Sequence, residues 1–104
     1  MRLTLMKEDG ILTARLSGEL DQHSAAQVRR ELDRALGDPS VKRIEFDMKE
    51  VSFMDSAGIG VILGRYRTVS GRGGSMGIGN APRNVERILR MSGVYTLATE
   101  RSMR

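Results

Sequence analysis

Asp55-Ser56 sets a carboxylate beside a hydroxyl at the start of an apolar-periodic stretch, and Asp21 and His23 lie upstream. These residue types permit three kinds of chemistry. A serine with a histidine and an aspartate could make a hydrolase triad. Two converging aspartates can do acid–base work or hold Mg²⁺. A serine at the mouth of a helix can cap it, accepting from backbone N–H groups that lack a partner inside the helix. A phosphate on that oxygen would meet the same donors and the positive end of the macrodipole.

The triad is poorly supported. Met54 stands where a Gly-x-Ser-x-Gly elbow needs its first glycine. His23 then reads as an exposed loop residue or a partner contact. The two aspartates read as loop carboxylates that satisfy nearby backbone N–H groups. Ser56 stays open between a plain cap and a phosphate acceptor, and the two are compatible. The glycines do not make a nucleotide site. Gly58-Ile59-Gly60 lacks a third glycine at dinucleotide spacing, and no Gly-Lys-Ser/Thr loop is present.

The flanking elements must position these groups. Ile44, Phe46 and Met48 alternate, which predicts a strand over 43–48 with one buried face. Ile59, Ile62, Leu63 and Tyr66 follow the stripe of an amphipathic helix over about 57–69. Gly58, Gly60 and Gly64 each cost about 1 kcal/mol there relative to Ala. Close packing against the sheet or a partner would explain them.

Upstream, residues 3–6 are a strand, and Lys7-Glu8-Asp9-Gly10 signals a hairpin turn. Leu12, Ala14 and Leu16 then mark an antiparallel second strand, and 18–23 read as loop. Ser24 and Gln27 fit a capping box. Val28, Leu32, Ala35 and Leu36 form the buried stripe of the helix that follows. Gly37 suits its C-terminal cap, with Pro39 beyond.

Downstream, 71–74 is a flexible connection. Pro82 sits at or near the first turn of a helix with Val85, Ile88 and Leu89 inward and Arg83, Arg87 and Arg90 outward. Gly93 ends that helix, and 94–97 suggest a short last strand. The order β-β-α-β-α-β-α predicts an α/β fold with right-handed crossovers. Function in such sheets sits beyond the carboxyl ends of the strands. Asp21 follows strand two and Asp55-Ser56 follows strand three.

At 104 residues this is one domain. With no Trp, two Phe, two Tyr and seven Met, the core must be aliphatic and Met-filled. Cysteine is absent, so disulfides and thiolate metal sites are excluded; this agrees with a cytoplasmic protein. No apolar run approaches a membrane span, and the N-terminus is charged too early for a signal peptide. The net charge of +4 comes from scattered basic residues with few aromatics, which argues against nucleic-acid binding.

The run from Phe53-Met54-Asp55-Ser56-Ala57-Gly58 through Ile62-Leu63-Gly64-Arg65-Tyr66 resembles the signature of the STAS family. Within that family it is most similar to bacterial anti-sigma-factor antagonists of the sporulation sigma-F type. Leu16-Ser17-Gly18-Glu19-Leu20-Asp21 matches the family's other recurrent stretch, and the resemblance spans about residues 5–94. It implies one STAS domain over 1–104, with helices packed on a mixed, mostly parallel sheet. It also implies a fourth strand at 75–79, although that stretch is a poor strand by propensity. Asp21 and Asp55 would lie on one edge. Residues 98–104 would be a frayed tail, where relatives often add a final helix.

The resemblance further implies a mechanism. Unphosphorylated, the chain would bind an anti-sigma factor that is itself a serine kinase and so free the sigma factor. The kinase would phosphorylate Ser56 and the complex would part. A PP2C-type phosphatase would restore the active form. Asp21, His23, Asp55, Ala57, Gly58, Ile59 and Gly60 would shape the surface these partners see. The chain would be a substrate and binding module, not an enzyme. It would carry no cofactor or metal of its own, and have no direct contact with nucleic acid or membrane. Ala57 replaces a second hydroxyl residue common in relatives, so one serine serves the motif. The alternative is a non-switching STAS module that senses a ligand or scaffolds a signalling complex.

Overall fold

The chain opens as a hairpin. Strands β1 (Arg2–Glu8) and β2 (Ile11–Leu20) pair antiparallel across Asp9-Gly10. Both turn residues have positive φ, 54° and 77°, the geometry whose twist suits a two-residue hairpin. Then come α1 (Ala25–Ala35), β3 (Arg43–Met54), α2 (Ser56–Ser70), β4 (Ser75–Gly79), α3 (Arg83–Ser92) and a 3-10 turn, Val94–Thr96. These assignments come from a computed structural model that describes residues 1–99. The sheet order is β1-β2-β3-β4, with β2, β3 and β4 parallel. The fourth strand exists despite its three small residues, since β3 supplies its ladder and Met76 enters the core.

Alternation decides what each face of the sheet carries. Leu12, Ala14, Leu16, Ile44, Phe46 and Met76 line one face and are fully buried. They join one core with Val28 and Leu32 of α1, Val61, Ile62 and Val69 of α2, and Val85 and Leu89 of α3. Each Val, Leu, Ile, Phe or Met among them contributes about 1.5–3 kcal/mol when fully buried. The opposite face is polar. There Arg15 Nε lies 3.2 Å from Asp47, and Arg43 Nε lies 2.9 Å from Glu45.

The strands that carry the site run longer than alternation suggested. β2 continues through Gly18 to Leu20, where a loop was expected, and β3 continues to Met54. Two register shifts, between Arg15 and Ser17 and between Gly18 and Glu19, hide this continuation from a strict period of two. Both strands end together, with Leu20 opposite Met54.

Other expectations fail for local reasons. Ser24 is already helical (φ −102°, ψ −14°) and caps nothing. Its Oγ instead donates to the Glu19 carbonyl at 2.8 Å, and Gln27 reaches Glu31 rather than back to the helix start. Gly37 is not left-handed. The end of α1 is tied instead by Arg72, whose guanidinium donates to the Leu36, Asp38 and Val41 carbonyls. The expected last strand is the 3-10 turn, because Gly93 at φ 80° redirects the chain after α3. Thr99 is not frayed: its N–H donates to Met76 O at 2.8 Å, and its hydroxyl accepts from Arg43 at 2.6 Å. The rest of the expected tail, 100–104, lies outside the described residues.

Candidate functional site

The joint endings of β2 and β3 set the site. Asp55 leaves β3 in an extended conformation (φ −123°, ψ −169°) and α2 begins at the next residue. Its Oδ1 accepts from the N–H groups of Ala57 (2.9 Å) and Gly58 (3.3 Å). Asp55 is therefore the N-cap, a position that favours aspartate and its negative charge. The expected cap, Ser56, is displaced to the first helical residue. Its side chain is exposed and makes no hydrogen bond to any described residue. The local contest between cap and free hydroxyl is decided by its neighbour.

Asp21 leaves β2 beside this helix start and forms a turn of its own. Its Oδ1 accepts from His23 N (2.9 Å) and Ser24 N (3.1 Å). Burial alone would raise its carboxyl. The His23 and Ser24 N–H groups, the charge of His23 and the Ser24 hydroxyl more than offset that and hold it below the usual aspartate value. The His23 ring is largely exposed, with Nδ1 3.9 Å from Asp21 Oδ1. No hydrogen bond joins His23 to Ser56 among the described residues. Oδ2 of Asp55 accepts from the N–H of Gln22 at 3.3 Å. One carboxylate thus touches both segments.

The remaining expected residues divide. Gly60 is exposed and Ala57 half-buried. Gly58 and Ile59 are buried in the fold. An added Cβ on Gly58 would sit 2.7 Å from the Leu20 carbonyl oxygen and 2.8 Å from Met54 Cγ, so the close-packing expectation holds there. Packing against the sheet is absent at Gly60 and Gly64, where a Cβ would meet nothing within 4 Å.

Two neighbours escaped sequence reasoning. Gln22 matters through its backbone, which no side-chain pattern reports. Phe53, on β3 two residues before Asp55, is 47% exposed, next to exposed Ser52. An aromatic on the wrong side of the strand's alternation was the available signal.

The STAS-domain profile matches residues 2–101. The chain belongs to the STAS family. It is 38% identical over 97 residues to an anti-sigma F factor antagonist of Paenibacillus polymyxa, covering 93% of this chain and 83% of that one. The unphosphorylated form of the anti-sigma factor antagonist SpoIIAA superposes with a TM-score of 0.72 at 30% identity, over 86% of this chain and 83% of that one. The phosphorylated form of the Bacillus cell fate determinant SpoIIAA gives 0.73 at 29%, over 97% and 92%. Among the described residues, no helix is long and apolar enough to cross a membrane.

Proposed function

We propose that this chain is an anti-sigma-factor antagonist switched by phosphorylation of Ser56. Unphosphorylated, it binds an anti-sigma factor that is a serine kinase and so releases the sigma factor. The kinase transfers phosphate to Ser56 and the complex parts; a PP2C-type phosphatase reverses the step. The protein is a regulatory binding module and not an enzyme.

The observation that carries this reading is the division of labour between Asp55 and Ser56. Asp55 holds the cap, so Ser56 stands exposed with its oxygen unengaged. A phosphate there adds about −1.5 to −2 charges. It stands at the positive end of α2, where the fold tolerates it. Asp55 beside it carries like charge. The phosphate therefore acts on the surface a partner sees and leaves the core alone. The relatives named above support the partner class and the sporulation type.

The test is incubation with a serine-kinase anti-sigma factor and Mg-ATP, followed by peptide mass spectrometry. The expected result is one phosphate, on Ser56, with loss of the complex. Ser56→Ala binds and resists modification; Ser56→Asp binds less tightly in titration calorimetry. No phosphate, from a kinase active on its known substrate, sends the chain to the non-switching STAS reading.

A further inference from the structure

Asp21 lies in the loop after β2, and Ser56 is the first residue of α2. The loop after β2 is closed mostly on itself. Asp21 Oδ1 takes the His23 and Ser24 amides, the Asp21 carbonyl takes those of Ser24 and Ala25, and Ser24 Oγ accepts from the Asp21 amide at 3.1 Å. These bonds shape the loop from within, and none of them reaches α2. Two bonds cross to the other segment. One is backbone to backbone, Asp55 N to Leu20 O at 3.4 Å, at the very end of the strands. The other is Gln22 N to Asp55 Oδ2 at 3.3 Å, out on the loop itself.

We propose that Asp55 is a positioning residue that clamps the Gln22–His23 loop beside Ser56, making one recognition surface of two segments. This deepens the reading of Ser56 as the partner-facing serine and rests on it. The geometry gives Asp55 two separable jobs. Oδ1 caps α2 through Ala57 and Gly58; Oδ2 holds Gln22. A half-buried carboxylate spent on its neighbours is not the contact that a partner grips. Its effect on recognition passes through Gln22 and His23, both exposed.

The two jobs make the clamp testable with Asp55→Asn. The amide oxygen of Asn still caps a helix well. Its nitrogen cannot accept from Gln22. Hydrogen exchange followed by NMR should show the Gln22 amide exchanging about tenfold faster, the scale of a lost bond to a charged acceptor. Ala57 and Gly58 should stay protected. Phosphorylation by a serine-kinase anti-sigma factor should then lose efficiency mainly through a raised KM. Gln22→Pro removes the same bond from the donor side while leaving the cap, and should raise KM similarly without adding to Asp55→Asn in the double variant.

Unchanged Gln22 exchange in Asp55→Asn overturns the clamp. Faster exchange with an unchanged KM overturns its role in recognition. If Asp55→Asn fails to fold, Gln22→Pro decides by the same KM. If the kinase does not modify even the wild type, the Ser56 reading fails while the exchange result still decides the clamp.

Discussion

Three glycines of α2 should respond in opposite directions to the same substitution. Gly60 and Gly64 lie in the interior of a 15-residue helix, and a Cβ on either meets nothing within 4 Å. Alanine there restricts the unfolded chain and adds no clash, a gain of about 0.8–1 kcal/mol per site. The Gly60→Ala/Gly64→Ala pair should thus stabilise by about 2 kcal/mol. For a domain of this size that is a rise of roughly 8–16 °C in Tm. Gly58→Ala offers the same helical gain and cannot realise it. Its Cβ would sit 2.7 Å from the Leu20 carbonyl oxygen, 2.8 Å from Met54 Cγ and 3.0 Å from Leu20 Cγ. The Leu20 oxygen belongs to a strand held by the β2–β3 ladder and also accepts from Asp55 N, so it cannot retreat freely. Overpacking of this kind costs about 1–3 kcal/mol, and the net change should be a loss. Urea denaturation followed by circular dichroism, with thermal melts beside it, measures all three. A double variant less stable than wild type would refute the reasoning, because it would mean that the outer face of α2 is occupied within the fold. So would a stabilised Gly58→Ala. A stabilised double variant that binds its partner poorly would mark the bare face of α2 as a contact.

Ser56→Asp should melt within about 2 °C of wild type, because an acidic residue in the first turn suits the helix dipole; a large loss in a thermal melt would contradict a switch confined to the surface. Asp47 is buried on the polar face of the sheet. Burial pushes its carboxyl up, but the Lys49 N–H, the Asn80 amide and Arg15 outweigh that and hold it below the usual value. A depressed carboxyl stabilises above its unfolded pKa of about 3.9 and loses that contribution as pH falls through the lower folded value. Asp47→Asn should therefore flatten the stability curve below about pH 4, as urea titrations across pH would show. Arg72→Met keeps much of the stem and removes the guanidinium donor from the Leu36, Asp38 and Val41 carbonyls, of which Asp38 O keeps the Val41 N–H. It should cost about 2–3 kcal/mol by urea denaturation, and Arg72→Lys should restore only part, since an ammonium lacks the planar fork.

Periodicity made most of the architecture legible. The Asp9-Gly10 turn, the alternation of Leu12, Ala14 and Leu16, and the stripes of α1, α2 and α3 all report which side of an element meets the core. The second half of β3 was not legible, because register shifts put Val51 and Met54 inward and leave Phe53 out. Arg65 was missed for a related reason. It lies inside a helix as a charged residue, yet it is 8% exposed and lies 3.0 Å from Asp33 of α1. Only the packing of α1 on α2 creates that environment.

At the site, the sequence determined the residue types and their order: an aspartate and a serine after one strand, an aspartate after another. Those choices are local, and the STAS signature is written in them. Tertiary structure decided which side chain does what. Ser56 looked like a cap because capping is judged from residue type and position along the chain. Asp55 takes the cap because β3 extends to Met54 and delivers it, one residue earlier, in the extended conformation a cap needs. Ser24 looked like a cap for the same reason, and lost that role to the turn formed by Asp21. The meeting of Gln22 with Asp55, 33 residues apart, exists because two parallel strands end at the same level. A hydrogen bond from a backbone N–H leaves no trace in residue identity, since every residue but proline offers the same donor.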